Sequence, residues 1–359
     1  MEIKRRESKV IKIGDCFIGG NNPIAIQSMA KNKTSDIAKT VRQIKELEKA
    51  GCEIVRLAVR DGKDAQAIRN IKKTVKLPIV ADIHFDWRLA IQAIDNGADK
   101  IRLNPGNIYR KEEVREITSA LRQAGIPLRI GVNSGSVRDL NSKRLSMPER
   151  LVASSLNYLK MVEGFKFYDI VISLKAPTVL DTVEAYRKIS KLCDYPLHLG
   201  VTATGSPYSG AIKSSVALGS LLLEGIGDTI RISLTDKPAQ EVRVAKYILE
   251  SVGLRNFGPQ IISCPTCGRC EVDLVKLVKQ LENRLSTIDY RLSIKPLKLA
   301  VMGCVVNGPG EAREADIGVA FGKREGLLFK KGRPARKVSL KNCTEVLLNE
   351  LEKRDGFKR

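Results

Sequence analysis

From Pro23 to about Ser233, short β-rich apolar runs alternate with longer stretches in which apolar residues recur every three or four positions. The runs, 24–29, 53–59, 78–83, 100–103, 127–132, 169–174, 196–202 and 229–234, are bounded by polar loops and read as strands. Between them, Val41, Ile44, Leu47 and Ala50, then Ile68, Ile71 and Val75, then Val114, Ile117 and Leu121 each mark the apolar face of a helix. Gly51, Gly97, Gly125 and Gly164 are expected to stop four of these helices, since glycine adopts the left-handed cap conformation without a Cβ clash. About eight such units predict an α/β chain closed as a (β/α)8 TIM barrel. A doubly wound open sheet shares the rhythm, but no Gly-x-Gly-x-x-Gly follows the first strand. Ahead of the barrel, 9–13 and 16–18 around Gly14-Asp15 predict a small hairpin plugging the barrel bottom.

After about Arg255 the rhythm changes. Runs 259–263, 297–301, 316–321 and 327–329 read as strands, with helices near 271–285 and 339–353. This predicts a smaller α+β module, so the expected domains are 1–255 and 256–359. The segment 323–341 is rich in Lys and Arg and is expected to be a solvated hairpin.

With 359 residues, 43% of them apolar and 28% charged, the chain can bury a sizeable core, which excludes disorder throughout. Its longest apolar stretch, 216–223, is broken by Gly219 and Ser220 and falls short of the roughly 20 residues of a membrane helix. The N-terminus lacks an apolar signal core, and a cytoplasmic protein is expected. The formal charge of +22 favours anionic partners, either a phosphorylated small molecule or nucleic acid, unless solvated lysines account for it. Eight cysteines in such a chain point to metal or redox chemistry over disulfides.

Their clustering sharpens this. Cys264-Pro-Thr-Cys267-Gly-Arg-Cys270 is followed by Cys304 inside Met-Gly-Cys-Val-Val-Asn-Gly-Pro-Gly-Glu311. A Cys-x-x-Cys turn points both sulfurs to one side, as a metal requires, and the four thiolates suit zinc or a 4Fe-4S cluster equally. Glu311, seven residues beyond Cys304, is either an oxygen ligand or a helix-start carboxylate. Cys16, Cys52, Cys193 and Cys343 stand alone and are expected to be small core residues.

In barrels the chemistry sits at the C-terminal strand ends. Reading those ends yields Arg56, Asp82, His84, Arg102, Asn104, Asn107, Arg129, Asn133, Ser173, Lys175, His198, Thr202, Arg231 and Ser233, a basic set suited to clamping phosphate oxygens. Arg102 and Arg231 could instead be paired inside the barrel, because buried arginine is usually paired. The stretch Gly200-Val-Thr-Ala-Thr204-Gly-Ser206, leading to Lys213, occupies the usual phosphate position of barrels. Neither His84 nor His198 has a nucleophile nearby in sequence, which argues against a hydrolytic triad.

The motifs Ile26-Gln-Ser-Met29, Ala81-Asp-Ile-His-Phe-Asp86, Lys100-Ile-Arg-Leu-Asn-Pro-Gly-Asn107, Arg129-Ile-Gly-Val-Asn-Ser-Gly-Ser136, Glu224-Gly-Ile-Gly-Asp-Thr229, Cys264-Pro-Thr-Cys267 and Gly303-Cys-Val-Val-Asn-Gly-Pro-Gly-Glu311 together resemble one family. It is the 4-hydroxy-3-methylbut-2-en-1-yl diphosphate synthase family of the non-mevalonate isoprenoid pathway, and the likeness runs over nearly the whole chain. The resemblance implies an oxidoreductase made of a TIM barrel and a 4Fe-4S module like the cluster domain of sulfite and nitrite reductases. The implied reaction is two-electron reductive ring opening and dehydration of 2-C-methyl-D-erythritol 2,4-cyclodiphosphate, with ferredoxin or flavodoxin as donor. Implied cluster ligands are Cys264, Cys267, Cys304 and Glu311, with Asn307 close to substrate. A homodimer is also implied, its site formed between one subunit's barrel and the other's cluster module.

Two positions depart from the family pattern. Its seventh strand usually ends Gly-Val-Thr-Glu-Ala-Gly, whose Glu is proposed to handle protons, whereas Ala203 stands there in this chain, leaving Thr204, His198 or a bound water for that work. Cys270 falls where the family often has a non-thiol residue. Other readings are a paralogous iron–sulfur reductase of another phosphorylated substrate and a basic metal-dependent nucleic-acid-binding protein, the latter disfavoured by 5% aromatics.

Overall fold

The computed structural model describes residues 3–137, 145–202, 205–285 and 297–353. The chain divides into two compact units, Met1–Arg255 and Asn256–Arg359.

The first unit opens with β1 (Ile11–Ile13) and β2 (Cys16–Ile18), an antiparallel hairpin. The barrel follows: β3 (Ala25–Met29), α1 (Ile37–Ala50), β4 (Ile54–Val59), α2 (Gly62–Lys72), β5 (Ile79–Ile83), α3 (Arg88–Asp95), β6 (Lys100–Leu103), α4 (Lys111–Ala124), β7 (Leu128–Asn133), α5 (Met147–Gly164), β8 (Ile170–Lys175), α6 (Val179–Ile189), β9 (His198–Leu199), α7 (Pro207–Leu223), β10 (Thr229–Ile230) and α8 (Pro238–Ser251). The eight barrel strands are parallel, in the order β8-β7-β6-β5-β4-β3-β10-β9. A bridge from Ile172 to Leu197 closes the ring, with Ile172 N–H donating to the Pro196 carbonyl at 2.9 Å. Ile11, Ile13 and Ile18 pack on Ala25, Ile54, Val80 and Val171, all at or next to the start of their strands. The hairpin therefore plugs the N-terminal end of the barrel.

Local chemistry sets the helix ends. Asp36, Asp61 and Thr178 accept the N–H three residues on, and Ser146 with Glu149 forms a capping box. Gly51 and Gly125 close α1 and α4 in the left-handed region, and Gly97 has φ of 88°. Gly164 does not: it stays in the last turn of α5, and Lys166 takes the positive φ of 60° after donating its N–H to the Glu163 carbonyl. The last two barrel strands are shorter than the apolar runs suggested. Beyond Thr229–Ile230 the ladder carries one more bond, Arg231 N–H to the Leu199 carbonyl at 3.0 Å, and there the Lys175 ammonium lies against Gly200.

The second unit is a five-stranded sheet in the order β11 (Gln260–Ser263), β12 (Lys298–Met302), β13 (Ile317–Phe321), β14 (Gly326–Lys330) and β15 (Arg333–Val338). The first three strands are parallel and the last two antiparallel. Leu277 and Leu281 of α9 (Leu274–Leu285) join Leu347 and Leu351 of α11 (Cys343–Glu352) over Leu299, Val301 and Val319. The short α10 (Gly308–Glu314) packs Ala312 with Ala300, Met302, Ala320 and Phe329. β14 and β15 make the basic hairpin, whose outer strand is exposed from Arg333 to Lys337. Of the lone cysteines, Cys52 and Cys343 are core residues, while Cys16 and Cys193 are only half-buried. Among the described residues no helix is long and apolar enough to cross a membrane.

Candidate active site

Side chains alternate across a strand, so every second residue of each barrel strand faces the interior. In an eight-stranded barrel that interior is just wide enough for side chains to fill. Above the apolar floor of Ala25, Ile54, Val80 and Val171, this barrel is filled with charge.

Asp82 on β5 is the hub. Its carboxylate accepts Arg102 Nη1–H at 3.1 Å and meets His84 Nε2 at 3.2 Å, with Arg56 Nε at 3.9 Å. Burial alone would raise its pKa, but Arg56, His84, Arg102 and Arg129 outweigh that and hold it far below the usual carboxylate range. Arg102 also donates to the Gly131 carbonyl at 2.9 Å, and Arg56 donates to Met29 Sδ at 2.8 Å. Arg231 bonds Ser233 Oγ and lies 3.6 Å from Glu241 of α8. Burial, then Arg56, brings its pKa down to about 10. Glu241 in turn accepts from Ser28 Oγ and Leu234 N–H, both at 3.1 Å.

The remaining cations are poorly compensated. Arg129 is 1% exposed, and its Nε and Nη1 have no hydrogen-bond partner among the described residues. Lys100 is fully buried with an unpartnered Nζ. Lys175 is 5% exposed, and burial followed by Arg231 and Arg56 lowers its pKa well below the ordinary lysine value. His198, on β9, pairs Nδ1 with Thr229 Oγ1 at 2.7 Å and leaves Nε2 unpartnered. Burial, then Arg129, Lys175 and Lys100, keeps this imidazole neutral. Among the described residues, six buried or nearly buried cations (Arg56, Lys100, Arg102, Arg129, Lys175, Arg231) thus face two buried carboxylates, Asp82 and Glu241. Each orphaned buried group costs about 1–3 kcal/mol unless something fills its bonding capacity. The interior is built to receive negative charge.

Two glycines make room for these cations. A Cβ at Gly131 would stand 2.6 Å from Arg102 Nε, and one at Gly200 would stand 2.6 Å from Lys175 Nζ and 2.7 Å from the Arg231 carbonyl.

Several sequence expectations need correction. Arg129 is the second residue of β7 and His198 the first of β9, so both lie deep in the barrel and not at strand ends on the rim. Arg102 and Arg231 do have carboxylate partners and each leaves only Nε open, whereas Arg129 leaves both Nε and Nη1 without a partner among the described residues. Lys213 is exposed on α7 and joins none of the buried interactions described above. Ala203 and Thr204 lie outside the described residues. Ser173 is buried and bonds Tyr186, whose hydroxyl donates to the His198 carbonyl. Asn104 is buried and accepts the Gly106 N–H at 3.1 Å, while Asn133 closes β7 half-buried. Lys100, Gln27 and Glu241 were not anticipated. The signal for the first was present, since Lys100 shares the strand parity of Arg102.

The cysteine motif belongs to the second unit. The loops after β11, β12 and β13, three parallel strands, emerge at one end of the sheet and carry Cys264–Cys270, Cys304–Asn307 and Gly322–Glu325 respectively. Backbone N–H groups of Asn307, Val306 and Gly308 lower the pKa of Cys304, as suits a thiolate ligand. Cys264 Sγ accepts the Gly303 N–H at 3.4 Å. Cys267 is exposed, and so is Glu311 in the first turn of α10. Cys270 is engaged differently: its thiol donates to the Val272 carbonyl at 3.2 Å and packs against Gly303. Among the described residues no three Cys, His, Asp or Glu side chains are gathered around one point. The sulfur chemistry and the shared sheet end nevertheless fit a thiolate-bound group.

Comparison with known proteins gives the following. Residues 8–246 match the GcpE TIM-barrel domain, and residues 260–353 match the GcpE protein C-terminal domain. A protein of Caldanaerobacter subterraneus subsp. tengcongensis, named 4-hydroxy-3-methylbut-2-en-1-yl diphosphate synthase (flavodoxin), is 54% identical over 351 residues, covering 97% of this chain and 98% of its own. A Fusobacterium nucleatum protein of the same name is 52% identical over 344 residues, covering 95% and 96%. Among solved structures, dihydropteroate synthase from Stenotrophomonas maltophilia superposes with a TM-score of 0.53 at 14% identity, covering 69% of this chain and 100% of that one, a likeness of fold alone.

Proposed function

The chain belongs to the GcpE family, and from that premise we propose that it is an oxidoreductase of isoprenoid biosynthesis, converting 2-C-methyl-D-erythritol 2,4-cyclodiphosphate to 4-hydroxy-3-methylbut-2-en-1-yl diphosphate. The observation that carries this reading is the excess of buried cations, with Arg129 holding two unpartnered nitrogens where a diphosphate would find charge-assisted bonds.

In this reading Arg56, Arg102, Arg129, Lys175 and Arg231 hold the diphosphate, with Asn104, Asn133 and Ser173 beside them. Asp82 keeps Arg102 and Arg56 in place. His84, whose side chain is 44% exposed and bonded to Asp82, is the histidine able to exchange protons with solvent and with the departing oxygen. His198 is enclosed and neutral and orients the pocket through Thr229. Cys264, Cys267, Cys304 and Glu311 would hold a 4Fe-4S cluster, with Asn307 on its substrate side. When bound, that cluster supplies the two electrons that break the ring C–O bond. The donor is flavodoxin or ferredoxin, and the working protein is a cytoplasmic homodimer.

The test is an anaerobic assay with the cyclodiphosphate and a strongly reducing dye, on protein whose iron–sulfur absorbance is intact. Allylic diphosphate should form, and Cys304→Ser should abolish it. A loaded protein that forms none would refute the assignment and favour the second reading, which rests on Ala203: a paralogue reducing another phosphorylated substrate.

A further inference from the structure

The barrel interior has two levels of polar side chains. On β6 the register pairs Lys100 with Val80 and Arg102 with Asp82, so Lys100 lies one inward-facing position closer to the plugged end than the Asp82 hub. Two residues along a strand is roughly 6.6 Å. Arg129, paired across the sheet with Val171, borders the same apolar floor. Gln27 on β3 and His198 on β9 complete this lower level from the other side of the ring. Gln27 is 1% exposed, and its parity with Ala25 below and Met29 above turns it inward.

At this level the orphaned atoms accumulate: Lys100 Nζ, Gln27 Nε2 and Oε1, Arg129 Nε and Nη1, and His198 Nε2, from four strands around the ring. The groups that face Lys100 electrostatically are Arg129 and Arg56, and Cys16 of the plug. Glu53 acts on Cys16 in turn. Among the described residues no carboxylate is bonded to Lys100. A fully buried ammonium with no partner is kept at a standing cost, which a hydrocarbon side chain of similar length would remove.

We propose that Lys100 and Gln27 form the floor of a second phosphoryl subsite beneath the Asp82 level, which takes the deeper of the two phosphoryl groups and selects a diphosphate over a monophosphate. This rests on the proposed diphosphate chemistry of the barrel and deepens it. The upper cations, Arg56, Arg102, Arg231 and Lys175, receive the phosphoryl group nearer the mouth. The lower donors fall within reach of a second one attached to it, and a single phosphate at the upper level leaves them unused. Arg129 can serve both.

The test compares inorganic pyrophosphate with inorganic phosphate as ligands of the full-length protein by titration calorimetry. In Lys100→Met the preference for pyrophosphate over phosphate should fall about ten- to a hundredfold, the range for a lost charge-assisted hydrogen bond. The melting temperature of the unliganded variant should rise, since an unpaired buried charge has gone. Gln27→Leu, which changes no charge, should lower the same preference by a smaller factor, and it decides the matter alone if Lys100→Met does not fold. Equal weakening of both anions would mean that Lys100 acts only as a diffuse field, and an unchanged preference would mean that the lower level holds water only. Either result overturns the subsite. If the wild type binds neither anion, the diphosphate reading itself fails, whereas tight wild-type binding with unaltered variants sinks the subsite alone.

Discussion

Arg102 and Gly131 fit together as guanidinium and gap. Arg102 Nη2 donates to the Gly131 carbonyl at 2.9 Å, and the space a side chain would take at Gly131 is filled by Arg102 Nε, 2.6 Å from the missing Cβ position. Gly131→Ala should push the guanidinium off Asp82 with little harm to the strand. Stability should drop by about 1–3 kcal/mol, the usual cost of one extra methyl in a packed interior. Pyrophosphate affinity should fall further, by about tenfold or more, because a charged partner is misplaced. Melting curves and titration calorimetry on the same variant separate the two effects, and an affinity as good as wild type would show that Arg102 is not needed at Asp82.

The cysteines divide by what their sulfurs do. Cys304 is bonded by backbone N–H groups that favour a thiolate, whereas Cys270 is a donor to the Val272 carbonyl. Cys270→Ser should therefore retain its iron and its visible absorbance, and Cys304→Ser should lose both. Iron and sulfide analysis after anaerobic reconstitution checks this, and iron loss in the Cys270 variant would remove Glu311 from the ligand set.

Unliganded stability should rise with pH through the histidine range. His198, Lys100 and Lys175 bind protons more weakly folded than unfolded, each held down first by burial and then by neighbouring cations. The unfolded chain therefore carries more protons, and the slope is positive. For His198 the stability is present above about pH 6.5, the unfolded histidine value, and is lost below it. For the lysines the gain comes on as pH climbs toward about 10.4. Melting temperatures should trace the lower arm directly, flattened in His198→Gln; in the upper window the buried Cys52, Cys343 and Tyr186, whose pKa values burial raises, oppose the lysines, so the Lys100 part is the difference between wild type and Lys100→Met. A bound anion restores proton affinity, so pyrophosphate binding should take up protons, measurable by calorimetry in buffers of different ionisation enthalpy.

His84 is bonded to Asp82 and is the more exposed of the two histidines. His84→Gln should cut turnover about a hundredfold, in the range of a lost general acid, with KM little changed. Ala203→Glu should restore part of that loss and add little to the wild type. A large gain from Ala203→Glu alone would mean that the chain lacks a proton source which His84 does not replace.

How much was legible in the sequence follows from the range of the forces involved. Strand period, helix faces and glycine caps are local, so the barrel, the plugging hairpin and most helix ends are legible in the sequence alone. The one cap that moved, from Gly164 to Lys166, moved by two residues because α5 kept its own hydrogen bonding to the end. The Cys264–Cys270 and Cys304 motifs are legible for the same reason, since a short turn fixes where its sulfurs point. Depth is not local. Whether Arg129 and His198 stand at the rim or deep inside depends on stagger between neighbouring strands, and only the closed ring sets that. Pairing is not local either: Arg231 meets Glu241 from a helix, and Arg102 meets Asp82 from another strand, while Lys100 meets no one. The sequence by itself determined the architecture and the inventory of charge and thiol. The tertiary structure decided which charges cancel and which are left over, because that depends on which side chains share one enclosed volume.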